Sequence, residues 1–258
     1  MFDDYSSIAE VVNSFKGNPS ALHPLVKAAN NPDYSLVDLP EVEAKLARVK
    51  AAGLLTKGLK RHLMNPEQFF PTIAEIDVIL HLMGHGLKAQ WGPDPPDIEI
   101  PSLQTDIEVK CLSVADKLKN ARNGEVVALN DIRRMRIRIR REVLPRIRDN
   151  HAHIVILNAE GFGFDEFEDL LLDVGCATDP KTNGLFCRSE YGKVSAAVLM
   201  KEPFLWPRRK RVPLDLRIST FAGILNPGGE IDVPVALRKA LNIVSLKELR
   251  HCSAAKVN

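Results

Sequence analysis

Two short segments near the middle of the chain alternate between apolar and charged residues. One parity is apolar and holds Ile98, Ile100, Ile107 and Val109. The other parity is charged and holds Asp97, Glu99, Asp106, Glu108 and Lys110. A period of two is typical of half-buried strands, and the short stretch 101–105 fits a hairpin connection. The pattern therefore predicts a hairpin with Asp97, Glu108 and Lys110 on one face.

Spacings of three and four residues predict helices before this hairpin. Residues 67–84 form the predicted core helix, whose apolar stripe consists of Phe70, Ile73, Ile76, Ile79, Leu80 and Met83. A first strand is predicted at Leu87–Trp91. The preceding 66 residues should be helical, with segments at Tyr5–Phe15, Leu39–Ala52 and Leu54–Met64.

The segment after the hairpin fits two patterns. Arginines from Arg134 to Arg140 alternate with apolar residues as in a strand, yet a helical stripe is also present at Ile132, Met135, Ile139, Val143 and Ile147. The cap offered by Asn130 and Asp131 favours the helix, which should bend or end near Pro145. A central strand at 151–158 follows, and then an acidic helix at 164–174.

The remaining elements complete an α/β pattern of alternating helices and strands. Strands are predicted at 185–188, 193–201 and 216–225, and a short helix at 233–241. Three regions result: a helical region at 1–66, a core at 67–200 and a β-rich extension at 201–258.

Composition is that of an ordinary globular protein, with 45% apolar and 26% charged residues among 258. The net charge of +2 says little about partners, but its distribution is uneven. Residues 131–148 hold eight arginines against Asp131 and Glu142, a net charge of +6. Four scattered cysteines, without a C-x-x-C pair, indicate reduced thiols. We expect a soluble, cytoplasmic protein without a membrane partner, because neither a secretory signal nor a membrane-spanning apolar run is evident.

The predicted hairpin face has a clear chemical use. Carboxylate oxygens such as those of Asp97 and Glu108 suit a hard divalent cation, Mg²⁺ above all. An ammonium beside them, here that of Lys110, can hold a water, while the cation activates water and offsets charge that builds on a phosphate. These residues are therefore suited to phosphodiester hydrolysis.

With Glu75 on the preceding helix, Pro96-Asp97 and then Glu108-Val109-Lys110, the chain resembles the PD-(D/E)xK nuclease superfamily, which has the restriction-endonuclease-like fold. The resemblance covers roughly residues 67 to 160. It implies an α/β fold with a mixed central sheet flanked by helices, whose core elements follow the order αβββαβ. It also implies Asp97, Glu108 and the Val109 carbonyl as ligands of Mg²⁺, with Mn²⁺ as an alternative. Lys110 would lie at the attacking water and Glu75 would be an auxiliary acid. Many such nucleases pair to cut both strands, so a homodimer stays open.

The same letters occur a second time in the chain. Pro32-Asp33 is followed by Glu43-Ala44-Lys45, with Glu10 upstream. The apolar spacing around Glu43 is helical, and a helix cannot present these residues as a strand does. Pro93-Asp94 also competes with Pro96-Asp97, but the alternation begins at Asp97, which we therefore prefer.

The arginine-rich segment suits a polyanion. Arginine contacts with phosphates release condensed counterions and supply affinity without sequence information. We therefore expect DNA to contact Arg133, Arg134, Arg136, Arg138, Arg140 and Arg141. Together these features predict a Mg²⁺-dependent endonuclease acting on DNA. The alternatives are a non-cleaving nucleic-acid-binding protein that uses the same arginines, and a module that binds an acidic protein. His151 and His153 are interpreted as structural.

Overall fold

Helices and a mixed β-sheet make up the part of the chain that the structure, a computed structural model, describes. The predicted α/β class is thereby confirmed. The described residues are 2–15, 20–32, 37–92, 96–111, 137, 139–158, 186, 191–201, 220–245 and 247–248. The chain divides into two compact units, Met1–Asp94 and Pro95–Asn258. This division differs from the predicted boundaries at 66 and 200.

The first unit is helical, as the sequence predicts for most of it. Its helices are α1 (Ser6–Asn13), α2 (Pro24–Asn30), α3 (Leu39–Ala51), α4 (Lys57–Leu63) and α5 (Phe69–Gly84). A short strand β1 (Gln90–Trp91) follows and covers only the end of the predicted strand. None of the helices in the described ranges has both the length and the apolar character that crossing a membrane requires.

The helix ends of this unit have local causes. Gly53 separates α3 from α4 with a φ of +73°, a conformation that glycine adopts without steric cost. The Thr56 hydroxyl then accepts the Leu59 N–H and caps α4. Glu43, from α3, accepts the N–H groups of Ser7 and Ile8 and so caps α1. The second copy of the motif letters therefore lies on a helix, as predicted, and Glu43 has a structural contact there.

Apolar side chains of α5 pack into the core of the helical unit. Phe69, Ile73, Ile76 and Leu80 belong to one buried cluster with residues of α1, α3 and α4. Of the stripe that we predicted to face a sheet, Ile73, Ile76 and Leu80 lie in this helical cluster, and Phe70 and Met83 pack against it. A buried ion pair joins the same elements, since Lys45 Nζ lies 2.7 Å from Asp77 Oδ2 and 2.9 Å from Glu41 Oε1.

The second unit is organised around a mixed sheet. Its strands are β2 (Ile98–Ile100), β3 (Thr105–Cys111), β4 (Ala152–Asn158), β5 (Ala196–Lys201), β6 (Thr220–Leu225) and β7 (Ile243–Val244). They lie side by side in chain order. The β2–β3 and β5–β6 pairs are antiparallel, whereas β3–β4, β4–β5 and β6–β7 are parallel. The predicted extension thus contributes β6 and β7 to the same sheet as the predicted core.

The β2–β3 hairpin has the predicted strands and connection. Ile98 pairs with Ile107, and Glu99 with Asp106. A 3₁₀ turn at Pro101–Leu103 and the left-handed Gln104 (φ +47°) join the strands. All four apolar residues of the alternating pattern are buried, as the period of two predicts.

Helical turns precede β4. A π-helical turn (Ile139–Val143) continues into a 3₁₀ turn (Leu144–Arg146), so the helical interpretation of this segment is confirmed where it is described. Among the described elements, α5 is followed by β1, β2 and β3 as the predicted order requires, and these helical turns stand before β4. The short helix predicted near the end is α6 (Val235–Ala240). The predicted helix at 164–174 lies outside the described residues.

Candidate active site

Asp97, Glu108 and Lys110 lie together on one face of the β2–β3 hairpin. Lys110 Nζ is 2.7 Å from Glu108 Oε2 and 3.6 Å from Asp97 Oδ2. Only 4% of the Glu108 side chain and 12% of the Lys110 side chain are exposed, against 22% for Asp97. Asp97 is therefore the more accessible carboxylate, and the ammonium lies within reach of both.

The third member of the predicted ligand set, Val109, lies between Glu108 and Lys110 on β3. Its backbone N–H donates to Asp97 Oδ2 at 2.8 Å. This bond fixes the Asp97 side chain against β3 just beyond the last pair of the hairpin ladder, and so sets where its second oxygen lies. Ligation through the Val109 carbonyl stays a prediction.

The balance of burial and nearby charge raises the pKa values of both Glu108 and Lys110. Burial, and then the nearby Asp97 carboxylate, raise the pKa of Glu108 to about 7, against the lowering effect of Lys110. Burial works to lower the pKa of Lys110, but Asp97 and Glu108 outweigh it, so that the pKa of Lys110 is raised. Lys110 is thus a permanent cation here and acts as a hydrogen-bond donor, while Glu108 takes up a proton near neutral pH.

Glu142 lies near the site, although in the sequence it counted only as a negative charge among the arginines of residues 131–148. Glu142, half-buried on the π-helical turn at 139–143, adds to the fields that raise the pKa of Lys110. The sequence position of Glu142, after the hairpin and among arginines, did not indicate that it lies near Lys110, because the turn reaches the site through tertiary packing.

The donor set is suited to Mg²⁺. Asp97 and Glu108 supply two carboxylates at neighbouring positions of adjacent strands, and oxygen is the donor that this cation prefers. A proton held by buried Glu108 is one that a cation can replace. Across the described ranges, no group of three or more His, Cys, Asp or Glu side chains converges on a metal position. Waters and substrate oxygens would therefore complete the coordination, as is usual for Mg²⁺.

Glu75, the predicted auxiliary acid, lies on α5 in the first unit. It is buried, and its Oε2 accepts the indole N–H of Trp91 at 2.7 Å. Trp91 in turn packs edge-on against the His62 ring. This contact gives Glu75 a structural part in the helical unit, and its auxiliary role stays a prediction.

Two of the six arginines predicted to contact DNA are described. Arg140 and Arg141 are exposed on the π-helical turn, whose Ile139 and Val143 are buried. Of the acidic side chains that the structure describes, none forms an ion pair with either arginine. The other four, Arg133, Arg134, Arg136 and Arg138, lie outside the described residues.

A second polar cluster occupies the same hairpin further along. Asp106 is fully buried and is contacted by Arg148, His151 Nδ1 and His153 Nε2, the last two at 3.2 Å. Burial works to raise the pKa of Asp106, but hydrogen bonds from His153 and Arg148 outweigh it and hold the pKa below its usual range. The two histidines predicted to be structural thus pack around one carboxylate. A weak signal for this cluster was present in the sequence, since Asp106 lies on the charged parity two residues before Glu108.

The raised pKa of Glu108 predicts how stability varies with pH when no metal is bound. The folded pKa of about 7 exceeds the ordinary glutamate value of 4.5, so the folded state binds more protons between these values. Stability from this group is complete below the lower value and is lost as pH rises through the upper one, by about 3 kcal/mol at most. Urea unfolding in chelator at pH 5 and pH 8 measures this loss.

The Glu108→Gln protein serves as the comparison, because glutamine has the shape of glutamate and does not titrate. The drop in unfolding free energy between the two pH values should be larger in the wild type than in this variant. Equal drops in the two proteins would contradict the assignment. Asp232→Asn, at an exposed carboxylate of the same unit, should behave as the wild type.

Comparisons with known proteins identify no relative of this chain. No family model matches the sequence, and searches of curated proteins and of solved structures find no match. Function is therefore inferred from the geometry and charges of the site.

Proposed function

We propose that this protein is a metal-dependent endonuclease that hydrolyses phosphodiester bonds of DNA. The observation that supports this most is the convergence of Asp97, Glu108 and Lys110 on one hairpin face, with Lys110 Nζ between the two carboxylates. Two acids this close, one of them buried, are costly even with Lys110 beside them, since burial and Asp97 raise the pKa of Glu108 against the effect of Lys110. Such a cost is typical of a functional site rather than of a structural ion pair.

Asp97 and Glu108 would hold the cation, with the Val109 carbonyl as a further ligand. When bound there, Mg²⁺ would supply Lewis-acid stabilisation of the charge that builds on the phosphate and would activate water as a nucleophile. Asp97 is held in place for this by the N–H of Val109. The low exposure of Glu108 keeps its carboxylate out of bulk water and strengthens its attraction for a cation.

Lys110 would orient the attacking water. Its raised pKa keeps the ammonium protonated at neutral pH, so it donates hydrogen bonds and does not accept the proton of the water. Its charge also offsets that of the two carboxylates when a phosphate approaches. Lys110 thereby lowers the repulsion between an acidic site and a negatively charged substrate.

The exposed arginines support DNA as the substrate. Arg140 and Arg141 precede β4 in the same unit as the site, and guanidinium groups pair well with phosphates. Binding through phosphates gives affinity that falls with salt and does not depend on base sequence. Recognition through the phosphate backbone is the mode that these two arginines fit.

Incubation of the protein with supercoiled plasmid tests the proposal. Nicked or linear products should form with Mg²⁺ or Mn²⁺ and should be absent with a chelator. Asp97→Asn should remove cleavage, because an amide binds the cation far less well than a carboxylate does. Asp232→Asn makes the same chemical change at an exposed site of the same unit and should cleave as the wild type does.

Other outcomes would overturn the proposal. Plasmid binding without cleavage in either metal, unchanged by Asp97→Asn, would identify a non-cleaving DNA-binding protein that uses its arginines. Absence of both binding and cleavage would point to an acidic protein partner. Cleavage that survives in Asp97→Asn would assign the activity to another site or to a contaminant.

A further inference from the structure

Arg148 contacts both strands of the hairpin that carries the proposed site. Its Nε lies 2.8 Å from Asp106 Oδ2 on β3, and its Nη2 contacts Asp106 Oδ1. The same Nη2 lies 3.2 Å from Glu99 Oε1 on β2. One planar guanidinium therefore joins the two strands, a contact that the planar guanidinium suits and the single ammonium of lysine does not.

Asp106 provides a firm anchor for Arg148. It is fully buried, and a buried carboxylate is stable only while its charge is paired and its oxygens are hydrogen-bonded. Arg148 satisfies both oxygens, and His151 and His153 complete the shell from the entry to β4. The Arg148 side chain is 42% exposed, so its end of the ion pair is open to solvent while the Asp106 end is not.

The register of the hairpin links this cluster to the proposed site. Glu99 pairs with Asp106, and Ile98 pairs with Ile107. The next residues beyond that last pair are Asp97 and Glu108. In an antiparallel pair, positions two residues along share a face. A shift of one residue would move Asp97 to the other face and separate it from Glu108.

We infer that Arg148 is a positioning residue of the proposed nuclease site, which holds Glu99 against Asp106 and thereby fixes the spacing of Asp97 and Glu108. This inference rests on the proposed function. Arg148 acts through the register of the hairpin and has no contact with the reacting atoms. Loss of Arg148 should therefore weaken metal binding and make the hairpin less ordered.

The test compares full-length Arg148→Lys and Glu99→Gln with the wild type. Mg²⁺ affinity is measured by calorimetry, and the half-saturating Mg²⁺ concentration for plasmid cleavage is measured in parallel. Supporting residues behind metal ligands typically contribute 10- to 100-fold to affinity, so Arg148→Lys should weaken Mg²⁺ binding by roughly 10-fold or more. Glu99→Gln keeps the buried Asp106 pair and should show a smaller loss of the same kind.

Amide hydrogen exchange, measured without metal, reports on the order of the hairpin itself. The Val109 amide, bonded to Asp97 Oδ2, should exchange with deuterium faster in both variants than in the wild type. Lys193→Ala is the matched control, because it removes an exposed ion pair with Asp149 in the same unit. It should change neither the exchange rate nor the Mg²⁺ affinity.

The outcomes separate the inference from the function on which it rests. Wild-type Mg²⁺ affinity, cleavage and Val109 exchange in a folded Arg148→Lys protein would overturn the positioning role and leave the nuclease intact. A lower melting temperature with unchanged Mg²⁺ affinity would also overturn it, because the contact would then be structural only. A wild-type protein that neither binds Mg²⁺ nor cuts DNA would overturn the proposed function and the inference with it.

Discussion

Replacing Lys110 by methionine should reduce the cleavage rate by about 10²- to 10⁴-fold while Mg²⁺ still binds. Methionine keeps most of the length and the apolar stem of lysine but has no charge and no donor. The attacking water then loses its orienting group, and the charge on the two carboxylates is no longer offset. Mg²⁺ binding should persist, since the ammonium competes with a cation for Asp97 and Glu108.

Single-turnover cleavage at saturating Mg²⁺ and calorimetric Mg²⁺ titration measure the two halves of this prediction. Lys193→Met, at an exposed lysine of the same unit, is the control and should leave both unchanged. If Lys110→Met lost its affinity for Mg²⁺ together with its activity, Lys110 would be a structural partner of the acids and not the group that orients water.

Replacing Asp77 by alanine should destabilise the helical unit by about 3 to 5 kcal/mol, because it leaves Lys45 buried with half of its charge pairing removed. Only 18% of the Lys45 side chain and 6% of the Asp77 side chain are exposed. Glu41 stays beside Lys45 at 2.9 Å, and this second partner should keep the loss near the lower end of the range.

Urea unfolding followed by circular dichroism at a helical wavelength measures the loss. Glu10→Ala is the control, since the side chains of Glu10 and its partner Lys50 are 35% and 51% exposed, and exposed pairs contribute roughly 0 to 1 kcal/mol. The double variant Lys45→Met with Asp77→Leu should recover most of the stability by replacing the ion pair with apolar contacts. A small loss in Asp77→Ala would mean that water reaches Lys45.

The hairpin could be predicted from the sequence because its signal is local. Alternation places Asp97, Glu108 and Lys110 on one face without reference to any distant residue, and the connection between the strands is short. The helices of the first unit were predictable for a similar reason, since Gly53 and Thr56 mark an end and a beginning within a few residues.

Contacts between residues far apart in the chain could not be predicted in this way. Arg148 meets Asp106 across 42 positions, and nothing in its surroundings distinguishes it from the other arginines of its segment. Glu75 was assigned by analogy of position on a helix, whereas its visible partner, Trp91, was assigned only to a strand. The packing of α5 among helices was missed because an apolar stripe does not reveal what covers it.

The position of β3 in the sheet has a consequence for the time course of folding. Its pairing with β2 closes a short loop, which hairpins do in about 1 to 10 μs. Its pairing with β4 begins at Thr105 and Ala152 and needs a much longer closure, which is slower because more chain entropy is lost before contacts form. Asp97 and Glu108 should therefore meet while the rest of the sheet is still open.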